Sequence, residues 1–285
     1  MAVGLDCGTS FYISAREKSI KKQRNAFLTV DGDAEQSKRM LKRQRIPFVE
    51  KAGKVHIVGK HAFNYAQIFS TATLRRPMKD GLLNPTEKDS LPILNAIIGE
   101  LLGKSKKEEV CVYCIPSKPI DVEREVSYHD DVLSTIIESY GYKAHKVEEA
   151  VALGYEGLVD NELTGVSISM VMQDIYGEST EEFTVMHALR SYYGALVNYL
   201  LVNLKAQFEG AANVPNFPKP VPIVIGGGTS LVKGFIEVFN EQFDPETFPL
   251  EVSEIILIED AHTAVSRGCL SEAQLTEEDE AQDNT

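Results

Sequence analysis

An aspartate stands two residues ahead of a glycine–threonine–serine run in "LDCGTS", residues 5–10, and the combination suggests anion chemistry. Gly8 lets the backbone fold tightly, while Thr9 and Ser10 offer the amide N–H groups and hydroxyls that a row of phosphate oxygens requires. Asp6, directly before the turn, is placed to hold water on a magnesium ion that bridges phosphates. Taken alone, the motif also reads as a plain hairpin turn in which glycine supplies positive φ. A second run, "IVIGGGTS" at 223–230, sets Gly226, Gly227, Gly228 and Thr229 between an apolar strand and the helical pattern "LVKGFIEVF". There a ligand can approach the backbone closely at a helix N-terminus. Neither a G-x-G-x-x-G fingerprint nor a G-x-x-x-x-G-K-[ST] loop occurs, which tells against the Rossmann and P-loop readings.

Two such turns need strands and helices to aim them. The pattern gives strands at "AVGLD", "SFYISARE", "AFLTV" and "KVHIVG". A helix follows over "SLPILNAIIGELLGK", where apolar residues recur at a helical period up to Gly103. "EVCVYCIP" reads as a buried parallel strand closed by Pro116. "VEREVSYHDDVLSTIIESYGY" reads as an amphipathic helix stopped near Gly141. The second half adds a strong helix from near Ala188, then two strand–turn–helix units around "IVIGGGTS" and "EIILIEDAHTAVSRGCL". Strands alternating with helices imply an α/β fold with a largely parallel sheet. A chain of 285 residues is comfortable for two lobes.

Cys111 and Cys114 form a C-x-x-C, but strand positions three apart point to opposite faces, so they are expected to be two buried strand cysteines and not a metal half-site. The six histidines show no ligand spacing, His56 and His61 being the nearest pair. Four cysteines are too sparse for a disulfide framework, and no apolar run approaches the length of a membrane span, so a cytoplasmic protein is expected. Net charge is −13, unevenly spread: residues 1–60 carry 13 lysines and arginines against 6 acids, a balance of +7, which leaves −20 on the rest. That asymmetry suits a nucleic-acid surface, a head-to-tail contact between identical subunits or a solvated flap. Residues 31–45 are expected to be an exposed loop or a helix of a small side subdomain, and "TEEDEAQDNT" a disordered acidic end.

The two turns, in this order and separation, resemble the actin-like ATPase superfamily, most closely the bacterial filament formers of the MreB and MamK type. "VGLDCGTS" matches the first phosphate motif, and "RRPMKDGLL" and "VCVYCIPSKPIDVEREV" resemble segments of such proteins. "KVEEAVALGYEGL" resembles the stretch bearing the catalytic glutamate, "IVIGGGTSLVKGF" the adenosine motif and "IEDAHTAVSRGCL" the closing strand and helix. The resemblance implies two RNase H-like lobes around a nucleotide cleft. Lobe I would span 1–147 with a small basic subdomain at about 22–72, lobe II 148–270, and an acidic tail 271–285. It implies ATP or ADP with Mg²⁺ as cofactors, Asp6 organising the metal, and Gly8, Thr9 and Ser10 around the β- and γ-phosphates. Gly226, Gly227, Gly228 and Thr229 would lie against the nucleoside, and Glu149 would orient the attacking water.

It further implies self-association into cytoskeletal filaments in the cytoplasm, with ATP hydrolysis regulating assembly. Neither nucleic acid as a direct partner nor a direct membrane anchor is expected. The pattern is broken in one place. Relatives carry a second phosphate hairpin, Asp-x-Gly-x-Gly-Thr, where this chain reads "LTGVSISMVMQD", with Ser169 near the expected aspartate. Only 17 residues separate Met170 from the helix pattern at Ala188, so the second lobe is shortened near 170–188 or a segment is omitted at Met170-Val171. Ala150 also replaces the proline that usually follows the catalytic glutamate. The alternatives are a nucleotide-binding filament or scaffold protein without turnover, and a small-metabolite kinase of the same superfold.

Overall fold

The opening apolar run becomes the central strand of a five-stranded sheet in the computed structural model, which describes residues 2–30, 34–68, 73–79, 81–84, 86–116, 126–170, 182–211, 217 and 219–283. In chain order the elements begin with β1 (Val3–Cys7), β2 (Phe11–Arg16), β3 (Ser19–Arg24), β4 (Phe27–Val30), α1 (Ala34–Arg43), β5 (Phe48–Lys51), β6 (Lys54–Val58) and α2 (Lys60–Ile68). Next come β7 (Leu74–Arg75), β8 (Met78–Lys79), β9 (Leu82–Leu83), α3 (Ser90–Leu102), β10 (Val110–Ile115), α4 (Ser127–Ser139) and β11 (Lys143–Glu148). The remainder are α5 (Glu149–Gly157), β12 (Val166–Ser169), α6 (Glu182–Gly210), β13 (Val221–Gly226), α7 (Phe235–Gln242), β14 (Val252–Leu257) and α8 (Ala261–Asp283).

The chain divides into two units. One is formed by its N-terminal part up to Ala152 together with Val265 onward, the other by Leu153–Ala264. The closing helix α8 thus counts with the first unit from Val265 onward, and the other division falls inside α5, a few residues beyond the 147/148 boundary that the sequence suggests.

In the first unit the sheet order is β11-β10-β1-β2-β3. β11, β10 and β1 run parallel, and β2 and β3 add an antiparallel meander. Both faces of this sheet are covered, which is why "VCVYCI" is apolar without interruption. Cys111 and Tyr113 pack with Val3, Leu5 and Cys7 under α3 and α4. Val110, Val112 and Cys114 face the other way, against Val265, Cys269 and Ala273 of α8. The two thiols of the C-x-x-C therefore leave opposite faces, as strand geometry requires, and all four cysteines are buried and free. On the α8 side Gly4 is obligatory, because a Cβ there would lie 2.1 Å from the carbonyl oxygen of Ser266 and 2.3 Å from the amide nitrogen of Leu270.

A four-stranded sheet of order β5-β6-β4-β7 carries α1 and α2 and has a small core of its own around Leu28, Leu41, Val55 and Ile57. The charged stretch 31–45 is thus a helix over the described residues 34–43, anchored by the buried Leu41 with Ala34 packed on the same core. In the second unit three parallel strands, order β12-β13-β14, pack one face on α6 and α7 through Ile223, Ile225, Val197, Phe235 and Phe239. α6 begins at Glu182, six residues before the apolar stripe that signals it. The suspected join at Met170-Val171 and the residues to 181 lie outside the described part of the chain, as do residues 117–125, including the N-terminal part of the "VEREV" helix pattern.

The acidic end is not a disordered tail over its described part. α8 runs to Asp283, held by charge instead of apolar anchors: the Val110 N–H donates to the Glu277 carboxylate at 3.3 Å, and Glu280 pairs with Lys143. Once those acids have partners at the starts of β10 and β11, continuing the helix costs little, because propagation adds a hydrogen bond for each residue fixed.

Candidate functional site

The turn after β1 is closed by a hydrogen bond from the Gly8 N–H to the Phe11 carbonyl at 2.9 Å. A Cβ at Gly8 would meet that carbonyl oxygen at 3.0 Å, so the glycine serves the tightness of the turn. Its amide is therefore spent within the hairpin, which leaves the Thr9 amide as the backbone donor facing an anion. Among the described residues the Thr9 amide donates to no backbone carbonyl.

Buried side chains hold the turn from behind. Asn25 donates from Nδ2 to the carbonyls of Thr9 and Met78, and its Oδ1 accepts from the Tyr12 hydroxyl at 3.1 Å and the Met78 N–H at 3.3 Å. The Gly81 N–H donates to the Thr9 hydroxyl oxygen at 2.7 Å. Part of "RRPMKDGLL", the β8–β9 hairpin, thus braces the first turn; Asp80 lies outside the described residues.

Asp6 leaves β1 on the face opposite Leu5 and Cys7, toward Cys114, whose thiol donates to Oδ1 at 3.3 Å. Burial first, then the negative charge of Glu149, push its carboxyl up to about 7, while the Cys114 hydrogen bond and the charge of Lys22 pull the other way. Glu149, the first residue of α5, is half-buried and within electrostatic reach of Asp6. Lys22 approaches from β3, with its Nζ 3.8 Å from the centre of the Phe11 ring. Hydrogen bonding with Cys269 and burial push the Cys114 thiol well above its usual range, so it stands as a neutral donor.

Would these groups fit a magnesium ion? Among the described residues no three His, Cys, Asp or Glu side chains gather into a protein cage. Two half-buried acids in mutual repulsion beside a turn with an unused amide donor fit a hydrated cation that shares its remaining positions with phosphate oxygens, the usual habit of Mg²⁺.

The second turn follows β13. Gly227 has φ +91, and a Cβ there would lie 2.4 Å from the Met170 carbonyl oxygen. At Gly226 it would meet the Leu153 side chain at 2.6 Å, whereas at Gly228 nothing lies within 4 Å. Two of the three glycines are therefore taken up by packing within the unit, and only Gly228 faces open space. Thr229 is buried with its hydroxyl lacking a hydrogen-bond partner, and its N–H donates to the Met170 carbonyl at 3.2 Å. An orphaned hydroxyl beside an open glycine fits a ligand with polar edges. Ser169, where an aspartate is expected, ends β12 in register with Gly226.

Within the first unit, then, the fold gathers Asp6, Gly8, Thr9, Ser10 and Glu149, and within the second it gathers Gly226 to Thr229. Sequence reasoning misses Asn25, Gly81, Cys114 and Lys22 as partners of the first turn. Only Cys114 leaves a usable signal, since in a parallel β1–β10 pair the second thiol of the C-x-x-C shares a face with Asp6. Among the described residues no helix is long and apolar enough to cross a membrane.

Comparison with known proteins places this geometry in a fold. The structure is similar to the MamK double helical filament, with TM-score 0.64 and 15% identity, covering 96% of this chain and 98% of that one. It is similar to MreB 5 of Spiroplasma citri bound to AMPPNP, with TM-score 0.57, 12% identity and coverage of 100% and 98%. It also matches the apo psk41 ParM protein, with TM-score 0.53, 11% identity and 98% of each chain covered. These likenesses show an actin-like α/β fold. No curated protein matches the sequence. The sequence profile of Volactin matches in two segments, residues 1–176 and 174–273, which meet within the stretch where the second lobe reads as shortened. With almost its whole length matched by that profile, the chain belongs to the Volactin family.

Proposed function

We propose that the chain is an actin-like cytoskeletal protein of the cytoplasm that binds ATP with Mg²⁺ and polymerises into filaments of identical subunits, with ATP hydrolysis regulating assembly. The observation that carries this reading is the mutual repulsion of the half-buried acids Asp6 and Glu149, with the unused Thr9 amide in the turn that follows Asp6: two such acids invite a cation, and the amide invites phosphate. Asp6 organises the water around the metal, and Gly8, Thr9 and Ser10 shape the turn that receives the β- and γ-phosphates. Gly226, Gly227, Gly228 and Thr229 lie against the nucleoside, and Glu149 orients the attacking water. Bound magnesium would neutralise charge on the phosphate oxygens. The similar structures lend support, one being a filament and another holding AMPPNP.

The test is sedimentation of purified protein with ATP and Mg²⁺, with phosphate release followed in the same sample and electron microscopy of the pellet. Filaments that form with ATP, release phosphate and lose turnover in Glu149→Gln are the expected result. A protein that neither binds nor sediments with any nucleoside triphosphate would overturn the reading. Ser169, an uncharged residue beside Gly226, favours a second reading, a nucleotide-binding filament or scaffold without turnover. Assembly with no phosphate release would select it. ADP formed only with an added small-molecule acceptor, the phosphoryl group leaving on that acceptor and not as free phosphate, would point to a kinase.

A further inference from the structure

We infer that Cys114 is the positioning residue for Asp6: its thiol, presented from β10, holds the carboxylate in the orientation from which it can order the metal's water. The inference rests on the proposed role of Asp6. The parallel register Val3↔Cys111 and Leu5↔Tyr113, carried one residue further, sets Asp6 beside Cys114 with both side chains on the α8 face. There the thiol donates to Oδ1 at 3.3 Å, and no other side-chain donor to Asp6 is seen among the described residues.

A carboxyl group turns freely about its last torsion, which has only a broad two-fold preference. One fixed hydrogen bond removes that freedom and commits the second oxygen to whatever lies ahead of it. Cys114 is itself fixed, packed with Val112 and Val147 and backed by Cys269 of α8. The environment explains why the donor is a thiol. The cluster around it is apolar and fully covered, so the position calls for a small hydrophobe, and cysteine alone joins that character to a weak donor. Alanine or valine would satisfy the packing and leave Asp6 unheld, whereas serine would hold Asp6 at some expense in packing.

The experiment compares the full-length protein with Cys114→Ala, Cys114→Ser and Asp6→Asn by ATP binding in a Mg²⁺ titration and again in EDTA. Cys114→Ala is expected to raise the Mg²⁺ concentration needed for half-maximal tightening by about three- to tenfold, the scale of one ordinary hydrogen bond, as suits a weak thiol donor. Its affinity for ATP in EDTA should stay within about twofold, and Cys114→Ser should recover most of the Mg²⁺ response. A purely packing role predicts the reverse order, with alanine tolerated and serine impaired, and that result overturns the inference. Asp6→Asn separates the layers. If it abolishes the Mg²⁺ response while Cys114→Ala is silent, positioning by Cys114 is wrong and the site stands; if Asp6→Asn is silent, both fall. Should the Cys114 variants not fold, the S–H infrared stretch of the wild-type protein decides. A band that shifts when Mg²⁺ and ATP are added supports the coupling, and one that stays fixed overturns it.

Discussion

The two glycine turns of this chain are secured in opposite ways. The turn of the first unit is held by side chains: Asn25 on the Thr9 carbonyl, the Gly81 amide on the Thr9 hydroxyl and Cys114 on Asp6. The turn of the second unit is held by the absence of side chains, with Gly226 against Leu153 and Gly227 against the Met170 backbone. Where charge and donors must be aimed, the fold uses buttresses that can be removed one at a time. Where a surface need only lie close to its neighbour, the fold uses bare backbone that admits no addition. Substitutions in the first turn should therefore act in steps, and in the second all or nothing.

The sharpest contrast lies between adjacent glycines. Gly227→Ala combines a positive φ with a Cβ 2.4 Å from a carbonyl oxygen, and should cost on the order of 4 kcal/mol in urea unfolding. Gly228→Ala meets open space and should cost less than about 1 kcal/mol. If Gly228 lies against the nucleoside, its alanine variant weakens ATP binding while the urea midpoint holds. Equal losses at the two positions would break the comparison.

Asn25→Ala comes next. It removes four hydrogen bonds around a buried amide and strands the Tyr12 hydroxyl, for an expected loss of about 3 kcal/mol by urea unfolding. Asn25→Asp keeps the acceptor but turns a carboxylate toward the carbonyls of Thr9 and Met78, so it should be no milder. A loss below about 1 kcal/mol in both would mean that the first turn does not depend on side-chain bracing.

Asp6→Asn should act in the opposite direction on the nucleotide-free protein. An acid raised to about 7 from 3.8 is protonated in the folded chain and ionised in the unfolded one between those values, so stability falls as pH rises through that window and the whole penalty is present above 7. Allowing for the partial exposure of Asp6, the asparagine variant should gain about 3 kcal/mol at pH 8 and nothing at pH 3. An unchanged difference between pH 3 and pH 8 would show that burial does not oppress this acid.

How far could these features be read in advance? Local pattern serves where one element decides the outcome. The apolar stripe ending at Gly103 becomes α3 with Gly103 at φ +65, and the three-residue spacing of Cys111 and Cys114 becomes two faces of β10. Pattern fails where the partner is distant in sequence. Cys114 and Asp6 are 108 residues apart, and their contact depends on a strand register that no periodicity encodes. The acidic end of α8 lacks apolar anchors and looks disordered, yet Lys143 and the Val110 amide await it at the starts of β11 and β10. Asn25 sits between a basic strand and an apolar one, where nothing marks it as the hub of a turn 16 residues earlier.

The smallest expected effect probes whether acid sensitivity, like charge chemistry, belongs to the first unit. His129 of α4 is buried there with neither ring nitrogen hydrogen-bonded, whereas the buried polar residues described in the second unit are Thr229 and Ser230. Burial lowers the His129 pKa to about 4 from 6.5, only partly offset by Asp130. Below 6.5 the unfolded chain takes up a proton that the folded chain refuses, so stability falls as pH drops, until the folded protein is protonated near 4. Between pH 7 and pH 5 the loss should be about 2 kcal/mol. His129→Leu, which keeps the volume apolar, should remove that part of the slope and leave the part due to carboxylates. A variant whose stability declines as steeply as the wild type over this range would place the acid-sensitive group elsewhere and dissolve the electrostatic half of the contrast between the units.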